Sequence, residues 1–73
     1  MDEILGDIVK TLRYEAGNGN PPEVRIAAIN ALSNYISVPE LRDKIVKTLR
    51  YEAGSGNPPE VRIAAMRVLS TAR

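Results

Sequence analysis

The chain has 73 residues, of which 44% are hydrophobic and 26% are charged, a composition typical of globular domains. Lys and Arg number 10 against 9 Asp and Glu, and a net charge of +1 disfavours nucleic acid, which needs long-range attraction. The absence of Cys and His excludes disulfides and nearly all transition-metal sites, so no cofactor is expected.

Membranes and export are disfavoured as well. No apolar stretch approaches the roughly 20 residues that a membrane-spanning helix needs. The acidic start Met1-Asp2-Glu3 differs from the basic start of a secretory signal. We therefore expect a cytoplasmic or recombinant soluble domain with no targeting signal and no membrane partner.

A direct repeat dominates the sequence. Residues 8–34 align with residues 45–71 at an offset of 37, and 22 of the 27 aligned pairs are identical. A period of this length is typical of architectures in which each unit packs its apolar face on the next unit. We predict a single domain made of two repeats, about 2–36 and 39–73.

The first repeat is predicted to form two helices. Apolar residues within 4–16 recur at i, i+3 and i+4 spacing, which predicts a first helix over 3–16. Gly17 is expected to end it in the left-handed conformation. Asn20 is predicted to cap a second helix over 21–36 that has prolines in its first turn. An anion site in this glycine-rich loop is disfavoured because the prolines remove amide donors.

The second repeat carries the same signals. Ser37-Val38-Pro39-Glu40 is predicted to form a capping box at the start of a third helix over 39–53. Gly54 and Asn57 repeat the stop and start signals, which predicts a fourth helix over 58–72. The fold class is therefore all-α, with four helices in two stacked helix-loop-helix units. The predicted core draws on all four helices: Leu12, Ala28, Leu32, Leu49, Ala65 and Leu69.

The second helices resemble those of HEAT repeats. Pro-Glu-Val-Arg-Ile-Ala-Ala stands at residues 22–28 and again at 59–65, and the HEAT pattern there is Pro, any residue, Val-Arg, then Ala-Ala and Leu. The resemblance implies an α-solenoid that binds proteins and generally has no active site. The same segment is also similar to the helical domain of vitellogenin-type lipid-transfer proteins.

The HEAT resemblance implies a role for two arginines. Arg25 and Arg62 stand where the family's arginine pairs with an acidic loop residue of an adjacent repeat. These loops read Gly-Asn-Gly-Asn and Gly-Ser-Gly-Asn, so the family's aspartate is missing. The partner is left open among four nearby carboxylates: Glu15, Glu23, Glu52 and Glu60.

No set of residues predicts catalysis. The carboxylates stand mostly at helix starts or beside Lys and Arg, where capping or solvation is expected. Tyr14 and Tyr51 are predicted to pack on the following prolines. A mild basic stripe is interrupted by acidic residues and is interpreted as a solvated face; it consists of Lys10, Arg13, Lys47 and Arg50, interrupted by Glu15, Asp43 and Glu52.

We therefore expect a structural scaffold without enzyme activity. Near-identity of the copies is unusual among HEAT repeats and favours an engineered or designed origin, such as tandem duplication of one helical hairpin. The alternative is a protein-binding module excerpted from a larger HEAT-like solenoid. Two repeats also leave apolar surface on the second helices uncovered, which predicts a homo-oligomer, most simply a homodimer. The predicted interface consists of Ile26, Ile29, Ile63, Met66 and Leu69.

Overall fold

The computed structural model describes residues 3–17 and 19–72. These ranges contain four α-helices and no strand: α1 (Glu3–Glu15), α2 (Pro22–Leu32), α3 (Pro39–Glu52) and α4 (Pro59–Thr71). The all-α prediction is confirmed. The predicted second helix extended to residue 36, but α2 ends at Leu32 and a 3₁₀ turn over Ser33–Tyr35 follows it. The predicted repeats and their loops also include Asp2, Asn18 and Arg73, which lie outside the described residues.

The helices pack in two pairs, and the pairs pack on each other. Within the repeats, α1 contacts α2 and α3 contacts α4. Across the repeats, α2 contacts α4 most extensively and α1 contacts α3. Each helix of the first repeat therefore lies beside its copy in the second.

One apolar cluster joins all four helices. The predicted core residues Ala28, Leu32, Leu49 and Ala65 are buried, as expected. Leu12 and Leu69 pack against the cluster but are only partly buried. The residues 37 positions away from them, Leu49 and Leu32, are fully buried. The difference in burial between equivalent leucines therefore arises from the neighbouring helices and not from the local sequence.

The prediction that Gly17 and Gly54 adopt a left-handed conformation is wrong, since neither has a positive φ. Each closes a tight turn in which its amide donates to a carbonyl three residues earlier, at 3.0 Å. A Cβ at Gly17 would lie 2.9 Å from the Tyr14 carbonyl oxygen, and one at Gly54 would lie 3.0 Å from that of Tyr51. Close backbone approach, and not the sign of φ, is therefore what favours glycine here.

The predicted side-chain caps at helix starts are also wrong. The N-cap residues are Pro21, Val38 and Pro58, and none provides a side-chain hydrogen bond. Asn20 and Asn57 lie one residue too early and turn back toward the preceding helix. The Asn20 amide donates to the Glu15 carbonyl at 3.2 Å, and the Asn57 amide donates to the Tyr51 carbonyl at 2.9 Å. Both asparagines therefore satisfy exposed carbonyls at helix C-termini.

Candidate interaction surfaces

A buried ion pair joins the two repeats. Arg25 of α2 and Glu52 at the end of α3 are 4% and 1% exposed, and their Nη2 and Oε1 atoms are 2.6 Å apart. The Arg25 Nε also donates to Glu52 Oε1 and to the carbonyl of Ala16, both at 3.2 Å. Among the four candidate carboxylates, Glu52 is thus the partner of Arg25.

Two further polar contacts join the repeats. The Arg25 Nη2 also donates to the Asn57 Oδ1, so the loop after α3 is attached to the same guanidinium. Between α1 and α3, the Arg13 Nε donates to the Thr48 hydroxyl at 2.9 Å. Both contacts run from the first repeat to the second. The side chains of Thr48 and Asn57 were not singled out by sequence reasoning for this purpose.

Arg62, the counterpart of Arg25 in the second repeat, has a different environment. (A counterpart is the residue 37 positions away in the other repeat.) Its Nε is buried and has no hydrogen-bond partner among the described residues. Leaving a charged donor unpaired in this way is unfavourable, because the hydration that it loses is not replaced.

An apolar surface of the first repeat, which we call the head face, consists of Ile4, Ile8, Leu12 and Val24. Ile4 is 69% exposed, whereas its counterpart Leu41 is 3% exposed. The other members are likewise exposed or half-buried, although their counterparts are fully buried: Ile45, Leu49 and Val61. The sequence analysis did not predict this surface. The signal was available, because the first repeat has the same apolar residues as the second but has no described repeat before it to cover them.

A second apolar surface, which we call the tail face, consists of Ile63 and Met66 on α4. They are 47% and 51% exposed, as the predicted interface requires. Ile26 and Leu69 are partly buried against the core. Ile29 is fully buried within the chain, because α2 packs on α4, so the structure excludes it from any exposed patch. The predicted homodimer itself stays a prediction.

Other candidate features lie at the surface. Tyr14 and Tyr51 are both largely exposed. No group of three or more His, Cys, Asp or Glu side chains among the described residues could hold a metal ion. Within the same ranges, none of the helices combines the length and apolar character needed to cross a bilayer.

Comparison of the chain with family models, with curated proteins and with solved structures finds no match.

Proposed function

We propose that this chain is a non-catalytic helical-repeat scaffold that acts by self-association through its head and tail faces. The observation that carries the proposal is the unequal burial of equivalent residues. Four apolar residues of the head face are exposed or half-buried, while their counterparts lie in the interface between the repeats. Contiguous apolar surface of this kind is typical of protein interaction sites.

The polar residues support a structural role. Glu52, the buried carboxylate, is held by Arg25, and both asparagines of the loops bind helix ends. These groups stabilise the fold and its repeat interface. The identity of 22 among 27 aligned pairs further supports a duplicated or engineered repeat that was made to stack.

Sedimentation velocity at several concentrations tests the proposal. We expect the wild-type chain to sediment as species heavier than a monomer at high micromolar concentration. The double variant I63K/M66E, which places charge on the tail face, should remain monomeric at the same concentration. Tyr14→Lys is the control, because it changes a largely exposed residue that belongs to neither face.

The outcomes are distinct. A wild-type chain that stays monomeric throughout would overturn self-association and leave the protein-binding module as the explanation of the exposed faces. A double variant that associates as the wild type does would exclude the tail face as an interface.

A further inference from the structure

We infer that copies of this chain associate head to tail, with α4 of one copy seated in the groove between α1 and α2 of the next. This inference rests on the self-association proposed above and specifies its geometry. The internal interface between the two repeats provides the template. Its residues are repeated at the two outer faces, where most of them are exposed or half-buried.

The apolar part of the interface follows from a groove on the head face. This groove has a volume of about 390 Å³ and is lined by Leu12, Glu15, Glu23, Val24, Ala27 and Ala28. Apart from Glu60, the counterparts of these residues are all buried in the second repeat, where α2 packs against α4. Since α4 closely repeats the sequence of α2, the α4 helix of a second copy has the side chains needed to fill the groove.

The buried half of α2 shows which side chains those are. Ile26 is partly buried and Ile29 is fully buried when α2 packs on the second repeat. Their counterparts are Ile63 and Met66, the two residues of the tail face. Ile29 to Met66 is one of only five differences between the aligned copies, and it keeps the side chain apolar.

The polar part of the interface follows from Arg62. Its buried Nε lacks a partner among the described residues, whereas the Nε of Arg25 has two. Glu15, the counterpart of Glu52, is half-buried beside the groove of the head face. Stacking a second copy as the second repeat stacks on the first would bring the Glu15 carboxylate to Arg62. Asn20 would then take the place of Asn57.

A second polar contact is repeated in the same way. The bond from Arg13 to Thr48 joins the repeats within the chain, and its counterparts are Arg50 and Thr11. Both of these side chains are exposed. Head-to-tail stacking brings Arg50 of one copy to Thr11 of the next. The side chains named above that make polar contacts between the repeats are therefore present a second time, in complementary form, on the outer faces.

A two-fold dimer through the tail faces is a poorer solution. It would place the arginines of two tail faces near each other, and it would leave both head faces uncovered. Head-to-tail contacts are heterologous, so each added copy presents a new tail face. We therefore expect the mean mass to continue rising beyond that of a dimer as concentration increases.

Charge reversal provides the test. Glu15→Arg and Arg62→Glu should each weaken association by at least about tenfold, because each places like charges at the junction. In an equimolar mixture of the two variants, each head faces a tail of opposite charge. The mixture should therefore recover association close to that of the wild-type chain, measured by sedimentation velocity.

Two variants control for unspecific effects of charge. Glu3→Arg changes a residue whose counterpart, Glu40, is exposed even though the second repeat packs on the first. Arg67→Glu changes one whose counterpart, Asn30, also stays exposed. Neither position belongs to the stacked interface, so both controls should associate as the wild type does, alone or mixed.

A cross-linking measurement does not depend on charge reversal. Because the chain has no cysteine, the single variants E15C and R62C can be mixed and treated with a short bis-maleimide. Cross-linking between the two variants should exceed cross-linking within either. Wild-type association that is insensitive to Glu15→Arg, or a mixture that does not recover, would overturn the head-to-tail geometry alone. A wild-type chain that is monomeric throughout would overturn the proposed function as well.

Discussion

The two equivalent arginines allow the same substitution to be made in two environments. Arg25→Met removes a guanidinium that holds Glu52, Asn57 and the Ala16 carbonyl. It leaves the Glu52 carboxylate buried without its cation, a change that typically costs about 3–5 kcal/mol. At about 0.05–0.15 kcal/mol per residue, a domain of this size has about 4–11 kcal/mol of stability. We therefore expect Arg25→Met to lower the melting temperature by at least about 12 °C.

Arg62→Met should have the opposite outcome. Methionine retains most of the aliphatic stem and removes a buried Nε that has no partner among the described residues. Among the described residues Arg62 forms no ion pair that this change would break. We therefore expect the free energy of unfolding to change by less than about 1 kcal/mol, in the stabilising direction if at all. The flanking residues are Glu-Val before and Ile-Ala-Ala after both arginines, so local helix propensity is matched.

Far-ultraviolet circular dichroism measures both changes: thermal unfolding gives the melting temperature and urea denaturation gives the free energy of unfolding. The protein must be kept at low micromolar concentration, because self-association would add stability by mass action. Equal destabilisation by the two substitutions would refute the reasoning, since the difference in neighbours would then have no energetic consequence. A loss below about 1 kcal/mol for Arg25→Met would show that the ion pair is dispensable.

Other predictions use the same denaturation assay. Leu49→Ala should cost about 2–5 kcal/mol and Leu12→Ala clearly less, because only the former is fully buried; equal losses would contradict the assigned core. Gly54→Ala should destabilise the protein by about 1 kcal/mol or more, since the added Cβ would lie 3.0 Å from a backbone carbonyl oxygen. Gly56→Ala has open space and should be neutral or stabilising by about 0.4–1 kcal/mol; the reverse order would refute both assignments. Asn57→Ala should cost about 1–2 kcal/mol, more than the same change at its counterpart, because Asn57 also accepts from a buried guanidinium.

The helices and most of the core could be predicted because they depend on local signals. Apolar spacing, prolines at helix starts and glycines after helix ends all act within a few residues. The side-chain contacts at the helix ends were predicted less accurately. Asn20 and Asn57 have the composition of N-caps, but the loop geometry directs them to the preceding helix instead.

The interaction surfaces were only partly predictable. Ile63 and Met66 are exposed as expected, but Ile29 carries the same helical pattern and is fully buried. The difference depends on which repeat lies next to each helix, and no pattern within one repeat contains that information. The choice of Glu52 among four carboxylates likewise required the packing of α3 on the first repeat.

The ion pair between Arg25 and Glu52 has a consequence for how such a chain can arise. Each repeat carries both an arginine and a glutamate at the matching positions, so one isolated unit already contains both halves of the contact. Duplication of its coding sequence then converts an ion pair between two molecules into an ion pair within a single molecule. A short connection raises the effective concentration of the partner to the millimolar range. Linkage thereby strengthens a contact that would be weaker between separate units, and it does so without any new contact.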